Sequence, residues 1–222
     1  MAKNNPQIII LLGRSGSGKG TQADLLIKDF KFDYISSGNL LRKRMEKSDF
    51  TGRKVKKFVN RGDLVPAFLI FNNWVTELEK CRDKKNIDGV LIDGSPRRLS
   101  EAELLDAAFD WFEYKDIKAV LIDISPKEAF ERLTKRRICQ KCGRLIPWVG
   151  DFKDLKVCDH CEGGLVERAD DTPAAIRKRL DFFKEEVEPV IKHYQQQKRL
   201  IRVDGEQSIE DVYRGVRKAL GF

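Results

Sequence analysis

The segment QIIILLGRSGSGKGT, residues Gln7–Thr21, joins two different hydrophobic patterns through a glycine-rich loop. Its first part, Gln7–Leu12, is a short run of isoleucine and leucine that ends at glycine, as buried parallel strands do. From Gly18 onward the pattern becomes helical. Glycines at such a junction let backbone N–H groups surround a phosphate, the helix start adds positive potential, and Lys19 supplies a mobile charge. The segment therefore predicts a phosphate-binding loop over Gly13–Thr21; the alternative is a glycine-rich turn without a ligand.

The rest of the chain repeats this alternation of strand and helix. Four further apolar runs predict strands over Phe32–Ser36, Val90–Asp93, Ala119–Ile124 and Leu200–Val203. Helices are predicted over Gly38–Lys47, Thr51–Asn60, Pro66–Cys81, Ser100–Phe112, Pro126–Arg137, Asp171–Gln197 and Ser208–Leu220. Long crossovers between strands require a parallel sheet with helices on both faces. The predicted fold is α/β, a three-layer α/β/α P-loop architecture around a five-stranded parallel sheet.

Composition excludes several classes of protein. The chain has 222 residues, with 43 Lys and Arg against 35 Asp and Glu, which suits one large domain with a smaller insertion. The mean hydropathy is −0.47, and no apolar run approaches the ~20 residues that cross a bilayer. We therefore expect no membrane association, no secretion signal and a cytoplasmic location. The net charge of +8 fits either nucleic acid or a group of arginines around a polyphosphate.

Four of the five cysteines form two C-x-x-C pairs, Cys139/Cys142 and Cys158/Cys161, with 15 residues between the pairs. This spacing is typical of zinc sites, and four thiolates give Zn²⁺ a closed tetrahedral shell with no open position for chemistry. The surrounding residues 138–168 show little periodicity and too small a core to hold their shape alone. They are predicted to be an insertion stabilised by a structural Zn²⁺; the alternative is four reduced, buried thiols.

Five separated motifs, in the same order, resemble those of the adenylate kinase branch of the nucleoside monophosphate kinases. They are Gly16–Gln22 (GSGKGTQ), Ser36–Arg42 (SSGNLLR), Gly62–Pro66 (GDLVP), Asp93–Arg97 (DGSPR) and Arg168–Asp171 (RADD). The Gly-Lys-Gly-Thr form, where other phosphate-binding loops have Gly-Lys-Ser/Thr, is similar to that branch. The four cysteines resemble its zinc-bearing lid.

This resemblance implies an enzyme that catalyses ATP + AMP ⇌ 2 ADP by direct in-line transfer with Mg²⁺, with a lid that closes and excludes water. It implies a P-loop core of residues 1–37, 62–137 and 169–222, a helical acceptor-binding segment of residues 38–61 and a zinc lid of residues 138–168. It also implies a monomer that binds ATP or ADP and AMP, and that binds neither nucleic acid nor membranes.

Residue roles are carried over where the motifs match. The implied catalytic cations are Lys19, Arg97, Arg136, Arg168 and Arg179. The ATP side is implied to consist of Gly13, Gly16, Ser17, Gly18, Lys19, Gly20, Thr21, Arg132, Arg136, Leu145, Ile146 and Gln207. In the family, the arginine at position 132 stacks on the ATP adenine and Asp93 orients a water molecule on Mg²⁺. Asp170 and Asp171 are implied to pair with arginines when the lid closes.

The acceptor side follows in the same way. It is implied to consist of Ser37, Arg42, Asp63, Leu64, Val65, Gly94, Ser95, Pro96, Arg97, Glu101, Arg168 and Arg179. Arg42 and Arg97 would hold the α-phosphate, and Val65 would pack on the base. Ser95 stands where the family commonly has phenylalanine.

Glu101 stands where the family commonly has glutamine. A glutamine amide can accept from adenine N6–H and donate to N1, whereas a carboxylate only accepts unless it is protonated. Glu101 could take the N6–H of adenine, or accept from guanine N1–H and N2–H, or from cytosine N4–H. AMP is therefore the first expectation, with GMP or CMP as the alternative acceptor. A further alternative is that Glu101 turns to solvent and reads no base.

A function of a different class also fits part of the sequence. A zinc ribbon and a net charge of +8 would suit a nucleic-acid-binding protein with a P-loop switch. Against it, the basic residues are not interleaved with aromatic residues in a stacking pattern. The cysteine insertion also lies between Arg136 and Arg168, which a kinase lid needs. Phosphoryl transfer to a nucleotide acceptor would distinguish the two.

Overall fold

The structure is a computed structural model that describes residues 6–61, 63–84, 86–168 and 171–222. Its strands are β1 (Gln7–Leu12), β2 (Phe32–Ser36), β3 (Gly89–Asp93), β4 (Ile117–Asp123), β5 (Arg137–Cys139), β6 (Leu145–Ile146), β7 (Leu165–Glu167) and β8 (Leu200–Asp204). Its α-helices are α1 (Lys19–Asp29), α2 (Ser37–Glu46), α3 (Phe50–Asn60), α4 (Ala67–Arg82), α5 (Leu99–Trp111), α6 (Pro126–Lys135), α7 (Pro173–Phe182), α8 (Glu188–Gln196) and α9 (Ile209–Leu220).

The main sheet has the strand order β2-β3-β1-β4-β8, and every neighbouring pair is parallel. Every residue of β1 after Gln7 is buried, which explains its continuous apolar sequence. Alternate residues of β1 face opposite layers: Ile8 and Ile10 pack with α4, α5 and α8, whereas Ile9 and Leu11 pack with α1 and α9. The predicted five-stranded parallel sheet with helices on both faces is confirmed.

Local signals start two of the helices where the sequence places them. The Ser125 hydroxyl accepts a hydrogen bond from the backbone N–H of Glu128 at the start of α6. The Thr172 hydroxyl accepts one from Ala175 at the start of α7. Each helix has a proline in its first turn, where a missing N–H costs nothing.

The structure differs from the sequence-based expectations in three places. The helix predicted to reach residue 137 ends at Lys135, because Arg137 begins β5 and pairs with strands of the insertion. The insertion is less irregular than its sequence indicates, since it contains an antiparallel sheet of order β6-β5-β7. The long helix predicted after Thr172 is interrupted by a π-helical turn at Phe183–Val187, which separates α7 from α8.

The parallel order brings the ends of the strands to one edge. The glycine-rich loop follows β1, Ser37 follows β2 directly, and Asp93 is the last residue of β3. Ligands of open parallel sheets bind at this carboxyl edge, beside the strand where the chain reverses its direction of winding. The candidate site is therefore built there. No helix within the described ranges is long and apolar enough to cross a membrane.

Candidate active site

The glycine-rich loop leads from β1 into α1 with an uncapped helix start. Gly18, the N-cap residue of α1, is left-handed with a φ of 95°, and no side chain caps the first N–H groups. Such N–H groups, together with the helix dipole, favour a bound anion. Gly13 is required by space, because a Cβ there would lie 2.4 Å from the carbonyl oxygen of Ile122. The strand–loop–helix context that the sequence predicts is present.

Lys19 reaches back over this loop. Its Nζ donates to the carbonyl oxygens of Gly13 and Arg14, both at 2.8 Å. Burial lowers the pKa of the Lys19 ammonium to about 8, and the nearby Asp93 carboxylate opposes that shift. Anionic phosphate groups would supply the negative charge that this ammonium lacks in the free protein.

The five cations predicted to be catalytic lie close to one another. Arg97 and Arg136 each lower the pKa of Lys19 by repulsion. Repulsion from Arg179 lowers the pKa of both Arg97 and Arg136, and repulsion from Arg168 lowers that of Arg136. Burial lowers the pKa of Arg97 and of Arg136, yet a guanidinium keeps its charge at any physiological pH. Such a concentration of cations needs anions to stabilise it.

Asp171 supplies part of that negative charge. Its Oδ2 accepts hydrogen bonds from Nε of Arg136 at 2.8 Å and from Nη2 of Arg136 at 2.6 Å, and its Oδ1 accepts from the same Nη2 at 2.9 Å. It also accepts one from Nη1 of Arg179 at 2.7 Å. The Asp171 side chain is only 3% exposed. The predicted pairing of an acidic residue at this position with arginines is therefore present; Asp170 and Gly62, which the motifs also contain, lie outside the described residues.

Asp93 lies at the end of β3 with its two oxygens in different surroundings. Its Oδ2 accepts a hydrogen bond from the Tyr34 hydroxyl at 3.0 Å. Its Oδ1 is buried and has no hydrogen-bond partner among the described residues. An orphaned carboxylate oxygen beside a phosphate-binding loop fits a hydrated Mg²⁺, which prefers oxygen ligands and keeps several waters. Sequence reasoning missed Tyr34, because only the pairing of β2 with β3 brings it to Asp93.

Arg14 is a second residue that sequence reasoning missed. From the second position of the loop, its Nη1 donates to Oδ1 of Asp123 at 3.1 Å and to the carbonyl oxygen of Ile124 at 2.9 Å. Its guanidinium lies 4.2 Å from the ring centroid of Phe183, the first residue of the π-helical turn. Arg14 thus connects the loop to the end of β4 and to the π-helical turn that follows α7. The only sequence signal was a long cationic side chain among the small residues that precede Lys19 in the loop.

On the acceptor side, the residues after β2 meet those after β3. The Ser37 and Ser95 hydroxyls form a 2.7 Å hydrogen bond, and both side chains are buried. Arg97 Nε donates to the carbonyl oxygen of Gly94 at 2.9 Å. Val65 is buried, and its carbonyl oxygen accepts from Arg98. Residues of three separated motifs, represented by Ser37, Val65 and Ser95, therefore lie side by side and form one wall of the predicted acceptor site.

Other predicted acceptor residues have partners within the protein. Arg42 contacts the side-chain oxygen of Asn39 on the same helix. Asp63 forms an ion pair with Lys178 of α7, which links the end of the α3 segment to the cationic cluster. Leu64, between Asp63 and Val65, is half-buried.

Glu101 lies inside this wall. Its side chain is 2% exposed, and its Oε2 accepts from the backbone N–H of Arg97 at 2.8 Å. Burial raises the pKa of the Glu101 carboxyl, while the Arg97 N–H opposes that shift. The alternative that Glu101 turns to solvent is wrong. The carboxyl group also holds the backbone of the Ser95–Arg97 loop, a role that its sequence position did not reveal.

The remaining predicted donor residues lie around the β4–β8 end of the sheet and in the insertion. Arg132 is buried and its Nε donates to Oε1 of Glu128 at 2.6 Å. Gln207 bonds Asp204 through its side-chain amide at 3.1 Å. In the insertion, Leu145 is exposed whereas Ile146 is buried.

The four paired cysteines converge in the insertion. Their Sγ atoms all lie within 4.8 Å of one another, with Cys139 and Cys161 at 3.5 Å and Cys142 and Cys158 at 3.7 Å. Zn–S bonds of about 2.3 Å in a tetrahedron require Sγ–Sγ distances of about 3.8 Å. Backbone N–H groups, chiefly that of Cys142, lower the pKa of the Cys139 thiol, whereas, against the N–H of Gly163, burial and the neighbouring thiols raise the pKa of Cys161. The donor set fits a structural Zn²⁺.

Comparison with known proteins identifies a matching family. The sequence model of the family described as adenylate kinase matches residues 11–199. A protein named adenylate kinase from Methanocella arvoryzae is 36% identical over 212 residues, which cover 95% of this chain and 97% of that protein. Proteins of the same name from Caldicellulosiruptor bescii and Clostridium acetobutylicum are also 36% identical, over 96% of this chain and 99% and 98% of their own lengths.

Proposed function

The chain belongs to the adenylate kinase family, and from that membership we propose how its residues divide the work of transferring a phosphoryl group from ATP to AMP. The protein is an enzyme of the nucleoside monophosphate kinase type. The observation that supports this assignment of roles is the cluster of five cations at the carboxyl edge of the sheet.

On the donor side, the N–H groups at the start of α1 and the Lys19 ammonium hold the β- and γ-phosphates of ATP. The lowered pKa of Lys19 supports this role, because an ammonium poor in negative partners gains most from a polyphosphate. Arg132 lies at the β4 side of the site, where it packs on the adenine. Leu145, Ile146 and Gln207 complete the donor site when the lid closes.

Mg²⁺ is proposed to bind with ATP, held through water by Asp93 and, less directly, by Thr21. The orphaned Oδ1 of Asp93 supports this placement. When bound, Mg²⁺ would neutralise negative charge on the phosphates. Asp93 would orient the metal-bound water, and Tyr34 would keep the carboxylate from rotating.

On the acceptor side, Arg42 and Arg97 hold the α-phosphate of AMP, and Val65 packs on its base. The Ser37–Ser95 hydrogen bond supports the backbone of that site. The Glu101 carboxylate accepts from the backbone N–H groups of Arg97 and Arg98, and a remaining lone pair of the same carboxylate accepts from adenine N6–H. AMP is therefore the proposed acceptor, although Glu101 does not complement adenine N1 as an amide would.

Transfer is direct and in line, because the attacking group is the phosphate of AMP and no protein nucleophile is needed. Loose phosphoryl-transfer transition states are stabilised mainly by positioning and by cations around the transferred group. Arg136, Arg168 and Arg179 supply those cations from both ends of the insertion and from α7. Closure of the insertion brings them onto the phosphates and excludes water.

The four-cysteine insertion, residues 138–168, is proposed to act as the lid, with Zn²⁺ fixing its shape. Residues 38–61 form the acceptor-binding segment, and the remaining residues form the core. Thiols grouped as a metal site favour a reducing compartment, so we propose a cytoplasmic enzyme. A monomer is proposed from the family resemblance.

The experiment is a phosphotransfer assay with ATP·Mg²⁺ and, in turn, AMP, GMP, CMP, UMP and dTMP, with products separated by chromatography. We expect ADP formation with AMP as the preferred acceptor. Glu101→Gln should keep AMP first and lower its KM by about tenfold, because an amide also donates to N1 and one buried hydrogen bond is worth ~1–3 kcal/mol. Glu103→Gln, an exposed position on the same helix, is the matched control. A preference for GMP or CMP would overturn the acceptor assignment, and no transfer to any acceptor would overturn the roles as a whole.

A further inference from the structure

The positive charge of the chain is concentrated in one segment. Residues 37–61, which contain α2, α3 and their connection, hold nine Lys and Arg and only two acids, so their net charge is +7. The whole chain has a net charge of +8, which leaves the other 197 residues almost neutral. Residues 37–61 are called the basic hairpin below.

Few charges of the basic hairpin are compensated within the protein. Asp49 is occupied: its carboxylate accepts from the Gly52 N–H at 2.7 Å and pairs with Arg44 at 2.9 Å. Four exposed lysines have no acidic partner within 4 Å in the described part of the chain; they are Lys43, Lys54, Lys56 and Lys57. Their field therefore extends into solvent.

The two helices present these charges from a closely packed unit. Gly52 of α3 lies against the end of α2, where an added Cβ would be 2.0 Å from the carbonyl oxygen of Lys47 and 2.9 Å from that of Arg44. Val55, on the same side of α3, is fully buried. The apolar side of α3 faces the protein, so its lysines are held on the outside.

The basic hairpin flanks the proposed acceptor site and not the donor site. It begins at Ser37, contains Arg42 and leads directly to Asp63–Val65. It follows β2, an edge strand, whereas Gln207 follows β8, the opposite edge. Two inter-strand spacings of about 4.8 Å, about 10 Å in all, separate β2 from β1, whose loop is proposed to hold the ATP phosphates. Four spacings, about 19 Å, separate β2 from β8. The Debye length at 0.1 M salt is about 10 Å, so the field of the basic hairpin acts mainly on the acceptor side.

We propose that the basic hairpin is a steering surface that draws the dianionic nucleoside monophosphate into the acceptor site. A phosphate monoester carries nearly two negative charges at neutral pH, because its second pKa is about 6. Clusters of one charge sign raise the encounter rate and the local concentration of an oppositely charged ligand. This inference rests on the proposed function, since it takes AMP as the acceptor.

Two other uses of the same charge fit the structure less well. Solubility alone needs net charge of either sign anywhere on the surface, and does not explain its restriction to the acceptor segment. A single-stranded nucleic acid would need aromatic platforms beside the cations. Phe50 is the one exposed aromatic residue of the basic hairpin, at 67%, and the Lys54 ammonium lies 5.2 Å from its ring centroid. AMP is therefore the partner that the position of the charge favours.

The test compares two variants of the full-length protein with the same loss of charge. The first carries Lys43→Gln, Lys54→Gln, Lys56→Gln and Lys57→Gln, which preserve helix propensity. The control carries Lys28→Gln, Lys31→Gln, Lys115→Gln and Lys218→Gln, exposed positions at the amino edge of the sheet. For each, kcat/KM for AMP and for ATP·Mg²⁺ is measured between 0.05 and about 0.5 M ionic strength. Circular dichroism melting confirms that both variants are folded.

We expect the hairpin variant to lose about threefold in kcat/KM for AMP at the lowest salt, with kcat unchanged and a loss that disappears at the highest salt. The kcat/KM for AMP of the control variant, and the kcat/KM for ATP·Mg²⁺ of both variants, should fall by less than about 1.5-fold. A Lys→Arg version of the hairpin variant should restore the wild-type salt dependence.

Equal salt dependence in the hairpin and control variants would overturn steering, while phosphoryl transfer to AMP itself would stand. A lowered kcat at every salt concentration would also overturn it, since it indicates a structural role. Binding of a 20-nucleotide RNA that the hairpin variant loses, with unchanged AMP kinetics, would assign the surface to nucleic acid instead. If the wild-type protein transferred no phosphoryl group to AMP, the function on which this inference rests would be overturned. The phosphotransfer assay with wild-type protein detects that outcome separately from a failure of steering.

Discussion

The hydroxyl of Tyr34 donates a hydrogen bond to Oδ2 of Asp93 at 3.0 Å, from one strand of the sheet to its neighbour. The other oxygen of the same carboxylate is buried without a partner among the described residues. The protein thus holds Oδ2 of Asp93, and Oδ1 is available to a ligand that binds beside the phosphate loop. Partners of this kind fix the orientation of a carboxylate that serves a metal ion.

Replacing Tyr34 with phenylalanine should therefore raise the Mg²⁺ concentration that the enzyme needs more than it lowers the rate at saturating Mg²⁺. A hydrogen bond to a charged group is worth ~1.5–3 kcal/mol, so we expect about tenfold more Mg²⁺ to be needed for half-maximal rate. The rate at saturating Mg²⁺ should fall less than about threefold. Mn²⁺ binding in the presence of ADP, followed by electron paramagnetic resonance, checks the same loss without turnover. Tyr213→Phe, which removes a similar 2.6 Å bond to Asp29 between α9 and α1, should leave both readings unchanged.

Lys19 makes nucleotide binding depend on pH in a defined direction. Its pKa is lowered to about 8 by burial, so near pH 8 about half of the free protein carries a neutral Lys19. Phosphate groups beside Nζ raise that pKa again, and the protein must take up a proton as it binds ATP. We expect an uptake of about 0.5 proton per ATP at pH 8 and much less at pH 6.5.

Isothermal titration calorimetry in buffers of different ionisation enthalpy measures this uptake directly. Lys19→Met should bind ATP more weakly and take up no proton at pH 8. Proton uptake of the same size in Lys19→Met would show that the proton goes to another group.

Much of the fold and part of the site could be predicted from the sequence, because those features depend on local patterns. The run of apolar residues in β1 and the glycines after it have local causes, and so does the C-x-x-C spacing. Arg14 and Tyr34 could not be predicted, since their roles depend on which side chains the sheet places opposite them. The π-helical turn at Phe183–Val187 left no sign in a continuous helical pattern. The short strands of the insertion were missed because pairing with each other, rather than periodicity, defines them.

The insertion should depend on its metal more than the rest of the molecule does. Removing Zn²⁺ with a strong chelator under reducing conditions leaves four thiols whose Sγ atoms are held only by short strands and turns. Because metal binding is coupled to folding in such small units, we expect the region from β5 to β7, residues 137–167, to lose structure while the main sheet stays folded. Hydrogen exchange should speed up at Gln140 and Cys158, whose N–H groups bond within the insertion, and stay slow in β1.

Cysteine variants give a second check of the same point. Cys142→Ser should lower zinc content and reduce transfer by about tenfold, as loss of one metal ligand or its support commonly does. Cys81→Ser should retain one zinc per chain, because Cys81 lies buried in α4, within the core and outside the cysteine group. Unchanged exchange in residues 137–167 after complete zinc removal would contradict a stabilising role for the metal.

Asp171 stabilises the free protein by bonding Arg136 and Arg179, two arginines that are also proposed to bind phosphate. The Asp171 side chain is 3% exposed and bonds both Arg136 and Arg179, so Asp171→Asn leaves two guanidinium groups, each on a side chain only 16% exposed, without their shared anion. Breaking a buried ion pair from one side costs ~3–5 kcal/mol, and we expect a loss of about 3 kcal/mol in the free energy of unfolding by urea. A bound polyphosphate supplies the missing negative charge, so saturating ATP should raise the Tm of the variant by more than it raises that of the wild type. Glu131→Gln, which breaks the exposed pair with Lys135, should cost less than about 0.5 kcal/mol and leave the ATP response unchanged. An equal Tm increase in Asp171→Asn and wild type would mean that the arginines do not exchange Asp171 for phosphate when nucleotide binds.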